Sequence, residues 1–308
     1  MDYTGLVARA IAIIRRTRAL WIFAIVVALV EPPLSFGSGG TPGVNFNFEP
    51  RVPVDEAALV RSFVAALVPF LLILGLWAVA SFFVAPLARG GLVWTAWRGA
   101  ADEDPAVSEG FSASRRHYGP LLLIQLLNLI VPVGVGLLVA FIAAPFVAFV
   151  IATAGSRDPN AGALIVGLVS LVLYLIVAIV ALVVLVIAVS ALLQSLITLA
   201  SIDVIIAENG AGEALRTAWR LITGHLGAVV VITILFAILS GIISALAAIP
   251  TAALFLIPIG LSSGGVPPFG LIFAGILILI PLTSLLQTPV QALRYTYFTL
   301  LYQGWTGR

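Results

Sequence analysis

Six stretches of the chain are almost wholly apolar, and the polar residues gather in the segments between them. The stretches cover approximately residues 17–31, 62–87, 119–152, 162–198, 226–257 and 270–293. Because a helix rises about 1.5 Å per residue, about 20 apolar residues cross a hydrocarbon core of about 30 Å. The pattern therefore predicts an all-α integral membrane protein with six transmembrane helices.

The first stretch is short, whereas several others are too long for one straight crossing. Long apolar helices tilt, kink or continue beyond the bilayer. Proline predicts where kinks occur, because it removes one helical hydrogen bond. We expect the even-numbered spans to extend past the inner leaflet. The predicted kink sites are Pro69, Pro132, Pro145, Pro250 and Pro281.

An internal repeat accompanies the apolar pattern. Segment 104–116 recurs without a gap as segment 208–220, 104 residues later. One further step of 104 residues back from Phe111, Ser114 and Tyr118 reaches Val7, Ala10 and Ile14. Self-similarity of this kind predicts one membrane domain over residues 1–308, with repeats at approximately 1–100, 101–207 and 208–308. The matched residues are Asp104 and Glu208, Glu109 and Glu213, Phe111 and Leu215, and Arg116 and Arg220.

Each repeat is predicted to be a short amphipathic helix, here called the elbow helix, followed by a transmembrane hairpin. Asp104 and Pro105 are typical N-cap and N1 residues, so we expect the second elbow helix to begin there. The apolar faces follow helical spacing. They hold Val7, Ala10, Ile11 and Ile14 in the first copy, Phe111, Ser114 and Tyr118 in the second, and Leu215, Ala218, Trp219 and Ile222 in the third.

Two interpretations of the elbow helices stay open. They brace the hairpins, or they form a rim on the inner face that binds lipids or a partner. A rim of this kind would hold its arginines against lipid phosphates. Glu109 and Arg116 stand seven residues apart, as do Glu213 and Arg220, and such pairs can bridge neighbouring repeats. The expected head-group contacts are Arg15, Arg16, Arg115, Arg116, Arg216 and Arg220.

The arginine distribution predicts the orientation. With both termini inside, the inner segments hold twelve arginines and the outer segments hold three, Arg51, Arg61 and Arg157. Positive residues favour the cytoplasmic side, so both termini are expected in the cytoplasm of a multi-pass inner (plasma) membrane protein. The outer loop 32–60 is interpreted either as an irregular loop on the head groups or as a docking surface for another protein.

Composition narrows the chemistry. The chain is 62% hydrophobic and 9% charged, against about 25% charged residues in soluble domains. It has no cysteine, and all fifteen basic residues are arginine. Thiolate and Schiff-base chemistry are therefore excluded, and the arginines follow an interfacial pattern that predicts no nucleic-acid partner. No catalytic motif, cofactor site or metal site is predicted. His117 and His225 are interpreted as interfacial anchors, with ligation of a metal or pigment as the alternative.

Few polar residues lie inside the apolar stretches. The spans are almost free of ionisable residues, which counts against ion coupling. The interior polar residues predict either interhelical hydrogen bonds, about 1 kcal/mol each, or a polar substrate path. Convergence on one cleft would distinguish the second possibility. The residues are Gln125, Asn128, Gln194, Gln287 and Gln291.

Two short motifs carry a resemblance to a known family. Segment 212–222 leads from an elbow helix into a span, and Pro289, Tyr295 and Leu300-Leu301-Tyr302 follow near the end of the chain. In these segments the chain resembles the polytopic family that includes the membrane domain of some glycerophosphodiester phosphodiesterases. The catalytic barrel of those fusion proteins is absent here. The resemblance therefore implies a membrane domain without the hydrolase.

The sequence as a whole predicts a non-enzymatic multi-pass membrane protein, a structural or accessory subunit of a membrane complex. The alternative is a transporter or lipid-handling protein for a neutral or amphiphilic ligand. The expected partners are membrane lipids and other membrane subunits. A filled centre favours the first function, and a continuous polar cleft favours the second.

Overall fold

The computed structural model describes residues 3–30, 56–128, 161–260 and 269–307, together with residues 134, 137, 138 and 144. The described residues are almost all helical. The helices are α1 (Tyr3–Arg16), α2 (Arg18–Val30), α3 (Glu56–Ala100), α4 (Val107–Arg116), α5 (Tyr118–Asn128), α6 (Ala161–Ile206), α7 (Ala211–Gly224), α8 (Leu226–Gly260), α9 (Phe269–Leu286) and α10 (Thr288–Thr306).

Four helical segments in the described part are long and apolar enough to cross a membrane. They are Val60–Ala100, Ala188–Ile206, Leu226–Leu246 and Phe269–Leu286. The helices Arg18–Val30 and Tyr118–Asn128 are apolar but shorter. The all-helical prediction is therefore confirmed for the described residues, and four of their helices could cross a membrane. Most of loop 32–60, Pro132, Pro145, Arg51 and Arg157 lie outside the described residues.

The last predicted span is divided. We expected one helix over 270–293, but α9 ends at Leu286 and α10 begins at Thr288. Pro289 occupies the first turn of α10. Pro289 has no N–H and its ring disfavours a carbonyl one turn earlier, so a break before it leaves it in a first turn, where no such bond is needed. By contrast, α3 continues through Pro69 and α9 through Pro281.

Helix α10 lies at the centre of the molecule. It contacts α3 and α6, which also contact each other, so these three helices form a central bundle. Every residue from Tyr295 to Tyr302 is buried, which is more than two full turns. A helix buried on all sides belongs to the interior of its fold. The centre of the described bundle is therefore filled by side chains, among which Tyr295, Phe298 and Tyr302 are the largest fully buried ones.

The elbow helices pack on the long helices near their C-terminal ends. Helix α4 contacts α3, α7 contacts α6, and α1 contacts α10. Ala10, Ser114 and Ala218 are fully buried in these contacts. We call this end of the bundle, where α3, α6 and α10 finish, the elbow end.

Glycine makes the closest of these contacts possible. A Cβ added at Gly91 would overlap the Phe23 ring of α2, and one added at Gly90 would lie 2.8 Å from Oγ of Ser114. Small residues let helices approach closely, and dispersion contacts then stabilise the crossing. The pair Gly90-Gly91 therefore lets both α2 and α4 pack tightly on α3.

The predicted faces and start of the elbow helices need correction. Ile11, Phe111 and Trp219 are exposed, and the buried face of α7 is formed by Ala214, Ala218 and Ile222. Helix α4 begins at Val107, and its N-cap is Ala106 rather than Asp104. The linker before α4 is held by tertiary contacts that the sequence pattern does not reveal. Pro105 is buried, and Glu103 bonds to Arg98.

Candidate functional site

A polar cleft lies at the elbow end, between α3, α4 and the linker that follows α6. Its volume is about 490 Å³, within the range of about 300–1,000 Å³ that is usual for ligand pockets. It contains side chains of both charges and one indole ring, so it is amphipathic. The lining residues are Trp94, Arg98, Glu103, Glu109, Ser112, Ala113, Arg116, His117 and Glu208.

The α3 wall of the cleft is built around Arg98. Its guanidinium carbon lies 5.0 Å from the ring centroid of Trp94 and 5.5 Å from that of Trp97. Nη1 of Arg98 donates to both carboxylate oxygens of Glu103, at 3.0 and 2.8 Å. Such cation–π contacts add about 0.5–1 kcal/mol each at exposed sites. Arg98 and Glu103 are therefore paired, and the guanidinium stands over the indole rings. Nε of Arg98 and Nε1 of Trp94 are buried without a hydrogen-bond partner among the described residues.

The α4 wall carries charges that have no such partner. Glu109, Ser112, Ala113 and Arg116 recur at intervals of three, one and three residues, so they share one face of α4. Within the described residues, neither Glu109 nor Arg116 forms an ion pair, so the expected bridge to a neighbouring repeat is not seen there. His117 ends the helix, and its Nδ1 lies 3.1 Å from the carbonyl oxygen of Ala113.

Glu208 contributes the last carboxylate, from the linker that follows α6. Its φ of 54° is left-handed, a conformation that glycine adopts more easily than other residues. A carboxylate is also unfavourable beside the negative end of a helix dipole. In the part of the chain that the structure describes, no ion pair compensates Glu208. The acidic side chain is thus held at this position at a cost to the fold.

Asp102 occupies the corresponding place after α3, and there the carboxylate is paired. Its φ is 64°, and its Oδ1 accepts a hydrogen bond from Nη1 of Arg16 at 2.7 Å. Arg16 and Arg9 also donate to the carbonyl oxygens of Gly99 and Ala100, at 2.8 and 3.0 Å. The hydrogen bond and positive charge of Arg16 lower the pKa of the Asp102 carboxyl. Helix α1 therefore closes the end of α3 with charge-assisted bonds.

The interior polar residues do not converge on one cleft. Asn128 donates to Gln125 within α5, at 3.0 Å. Gln194 accepts from Nη1 of Arg294 at 2.8 Å, joining α6 to α10. Gln287 donates to the carbonyl of Ser240 and to Oγ of Ser244 on α8, at 3.2 and 3.0 Å. Oε1 of Gln291 is buried without a hydrogen-bond partner among the described residues.

Three charged residues of the interior were missed by the sequence analysis. Asp203 is 1% exposed, and its two carboxylate oxygens accept from Tyr302 Oη at 2.5 Å and Asn209 Nδ2 at 2.8 Å. Arg89 is buried in α3, and Arg294 bonds Gln194 and Thr198. These residues follow apolar stretches in the sequence, so the sequence pattern places them at the ends of the predicted spans. The helices continue past them, which brings them inside the bundle.

The predicted head-group arginines are all exposed, on α1, α4 and α7. They are Arg15, Arg16, Arg115, Arg116, Arg216 and Arg220, of which Arg16 is engaged by the end of α3 and Arg116 lines the cleft. His225 stacks on Trp305 with ring centroids 4.4 Å apart. Among the described residues no cluster of histidine and acidic side chains is suited to a metal ion.

Comparison with known proteins adds no identity. No family model, no curated protein and no solved structure matches the chain. The resemblance to the family that includes the membrane domain of glycerophosphodiester phosphodiesterases stays a prediction. The functional argument therefore depends on the geometry alone.

Proposed function

We propose that this chain is a non-enzymatic multi-pass membrane protein that acts as a structural or accessory subunit of a membrane complex. The observation that carries the proposal is the filled centre around α10. A transport path needs a continuous polar opening, whereas Tyr295 to Tyr302 are packed on every side. The predicted path residues Gln125, Gln194 and Gln287 are engaged in separate hydrogen bonds, one within α5 and two between helices.

The exposed surface supports the accessory role. The most apolar window of the span Val60–Ala100 has 0% of its residues buried, and those of Leu226–Leu246 and Phe269–Leu286 have 17%. Lipid tails satisfy such a surface, and so does the apolar surface of another membrane protein. A chain with a rigid packed end and long apolar faces is suited to hold position beside other subunits.

Three features support the proposed architecture of three repeats. The elbow helices each pack on a different long helix: α4 on α3, α7 on α6 and α1 on α10. Ala10, Ser114 and Ala218 stand 104 residues apart and are equally buried. Both α4 and α7 end at a histidine, His117 and His225, immediately before the next helix. Six spans with both termini in the cytoplasm complete the proposal.

Photo-crosslinking in native membranes tests the accessory role. A crosslinking residue replaces Leu76 on α3 or Ile278 on α9, both strongly exposed, and Leu92 serves as the buried control. We expect one adduct of defined mass and fixed stoichiometry from the exposed positions and none from Leu92. Lipid adducts alone at both exposed positions, with a monomer that retains a specific small molecule, would contradict the role.

Cysteine labelling tests the topology without background, because the chain contains no cysteine. Single cysteines at Ser38 and Gly307 are treated with a membrane-impermeant maleimide in intact cells. We expect labelling at Ser38 and protection at Gly307 until the cells are opened. Equal reactivity at the two sites before lysis would overturn the six-span arrangement.

The cleft beside α4 favours a second candidate function, that of a lipid-handling protein for an amphiphilic ligand. The cleft carries charges of both signs, with Trp94 and Ala113 as its apolar lining. Delivery of a lipid between two vesicle populations by the reconstituted protein is the direct measurement. Transfer at the rate of protein-free vesicles would leave only the accessory function.

A further inference from the structure

We infer that the cleft between Arg98, Arg116 and Glu208 binds an aminoalkyl phosphate, the chemistry of an ethanolamine-type lipid head group. The inference goes beyond the accessory role and uses only the geometry of the elbow end. It names a ligand class that carries one phosphate and one primary ammonium group.

The cleft contains charged side chains of both signs, and only some of them are paired with each other. Glu103 and Arg98 are paired by hydrogen bonds of 3.0 and 2.8 Å. Glu109, Glu208 and Arg116 then stay as the charges that face a ligand. A simple anion would be repelled by the two carboxylates, and a simple cation would be repelled by the guanidinium of Arg116. A zwitterion satisfies both signs, since guanidinium binds phosphate and carboxylates accept from ammonium.

The second step distinguishes a primary from a quaternary ammonium group. A quaternary group is usually bound on open aromatic faces, because it has no N–H to donate. In this cleft Arg98 already stands over the rings of Trp94 and Trp97, at 5.0 and 5.5 Å. The remaining groups are hydrogen-bond acceptors, Glu109 and Glu208. The cleft therefore suits an ammonium group that donates hydrogen bonds.

The third step concerns the cost of Glu208. Asp102 and Glu208 are both left-handed residues that follow a long helix. Asp102 gains an ion pair with Arg16 at 2.7 Å, whereas Glu208 lines the cleft and gains none within the described residues. A left-handed conformation costs a residue other than glycine about 1–2 kcal/mol. A bound cationic group gives Glu208 the compensation that Arg16 gives Asp102.

Native mass spectrometry of the purified chain in mild detergent tests the inference. The probes are short-chain phosphatidylethanolamine, phosphatidylcholine and phosphatidylglycerol at equal concentration, and soluble phosphoethanolamine as competitor. We expect phosphatidylethanolamine to bind about fivefold more tightly than phosphatidylcholine, as one exposed ion pair allows. Displacement by phosphoethanolamine assigns the site to the soluble compound as well. Retention of the lipid against it assigns the site to the head group of an intact lipid.

Matched variants locate the binding. Glu109→Gln and Glu208→Gln should each lower the preference for phosphatidylethanolamine about fivefold. Arg116→Gln should weaken phosphatidylethanolamine and phosphatidylglycerol alike. The controls are Glu213→Gln and Arg220→Gln, which stand 104 residues after Glu109 and Arg116 and do not line the cleft.

Equal effects of Glu109→Gln and Glu213→Gln would overturn the inference, as would equal binding of the ethanolamine and choline lipids by the unaltered chain. Thermal unfolding of each variant checks that the fold is retained. Binding in detergent needs neither a partner subunit nor an orientation. Failure here therefore leaves the accessory role intact, and failure of the crosslinking leaves this inference intact.

Discussion

The two halves of helix α3 are both rich in apolar residues, but one half is exposed and the other is buried. From Val60 to Val84 most residues are exposed, and Leu76 reaches 72% exposure. From Ala85 to Ala100 most residues are buried, and Leu92 is 0% exposed. The first half contributes apolar surface to its surroundings, and the second half contributes packing to the bundle. One continuous helix is thus exposed over its first half and packed inside the bundle over its second half.

The difference teaches where the specificity of this fold resides. Apolar burial drives little association between helices in lipid, because lipid tails are as apolar as leucine. Close packing and hydrogen bonds must therefore decide which helices meet. Both are concentrated at the elbow end. There Gly90 and Gly91 permit close contact between helices. Asp203 accepts a hydrogen bond from Tyr302, and Arg98 donates to Glu103. The outer half of α3 needs only to be apolar.

The largest expected difference between the two halves comes from truncating leucine. Leu92→Ala opens a cavity in the packed half and should cost about 2–5 kcal/mol. Leu76→Ala removes a side chain that faces the surroundings and should change stability little. The measurement is thermal unfolding in detergent, with circular dichroism and gel filtration as the two detection methods. Equal destabilisation by the two changes would contradict the comparison.

Glycine gives a second matched pair in the same helix. Gly91→Ala places a methyl group in the Phe23 ring, and overpacking of this kind costs about 1–3 kcal/mol. Nothing lies within 4 Å of a Cβ at Gly75, so Gly75→Ala should be neutral or slightly stabilising, as helix propensity predicts. The midpoint of unfolding should therefore fall for Gly91→Ala and stay unchanged or rise slightly for Gly75→Ala. A loss at Gly75 as large as that at Gly91 would show that the outer half is also tightly packed.

The buried carboxylate of Asp203 provides a smaller test. Tyr302→Phe removes the donor at 2.5 Å and should cost about 1.5 kcal/mol, the value typical of a hydrogen bond to a charged group. Tyr118→Phe removes an exposed hydrogen bond to the carbonyl of Phe83 at 3.2 Å and serves as the control. Its effect should be smaller. The reverse order would indicate that Asp203 does not depend on Tyr302.

The smallest expected effect belongs to the exposed pair of Arg16 and Asp102. The pKa of Asp102 is lowered, so its contribution is present above the ordinary carboxyl range and is lost as the pH falls through the lowered value. Arg16→Gln should therefore lower the unfolding midpoint at neutral pH. The difference from the unaltered chain should shrink below about pH 4. Arg15→Gln is the control, and a midpoint difference for Arg16→Gln that stays constant with pH would refute the pair's role.

The amphipathic elbow helices and the apolar stretches were predictable because both depend on local periodicity. Ala218 and Ile222 are buried as their spacing predicts, although neighbouring Trp219 is not. The end of α9 at Leu286 was not predicted, although Pro289 lies in the first turn of the next helix. Thr288 and Pro289 have the form of a helix start, as Asp104 and Pro105 do, but the surrounding apolar run obscures that signal.

The cleft was only partly predictable. Arg116 was expected to meet head groups, but its place in the same cleft as Glu208 requires α4 to lie near the linker that follows α6. That placement is a tertiary contact with no periodic signal. Asp203 had a weak signal, a lone carboxylate between Ile202 and Val204 near the end of an apolar stretch. Its partner Tyr302 is 99 residues away, which no local pattern links to it.

The left-handed residue after α6 sets stability and recognition against each other. Glycine at position 208 would relax the backbone and remove a negative charge from the negative end of a helix, so Glu208→Gly should make the protein harder to unfold. The same exchange would remove an acceptor from the cleft. After α10 the corresponding residue, Gly307, is already glycine, with φ 69°. A chain selected for stability alone would place glycine after each of its long helices, whereas this chain has Asp102 after α3 and Glu208 after α6.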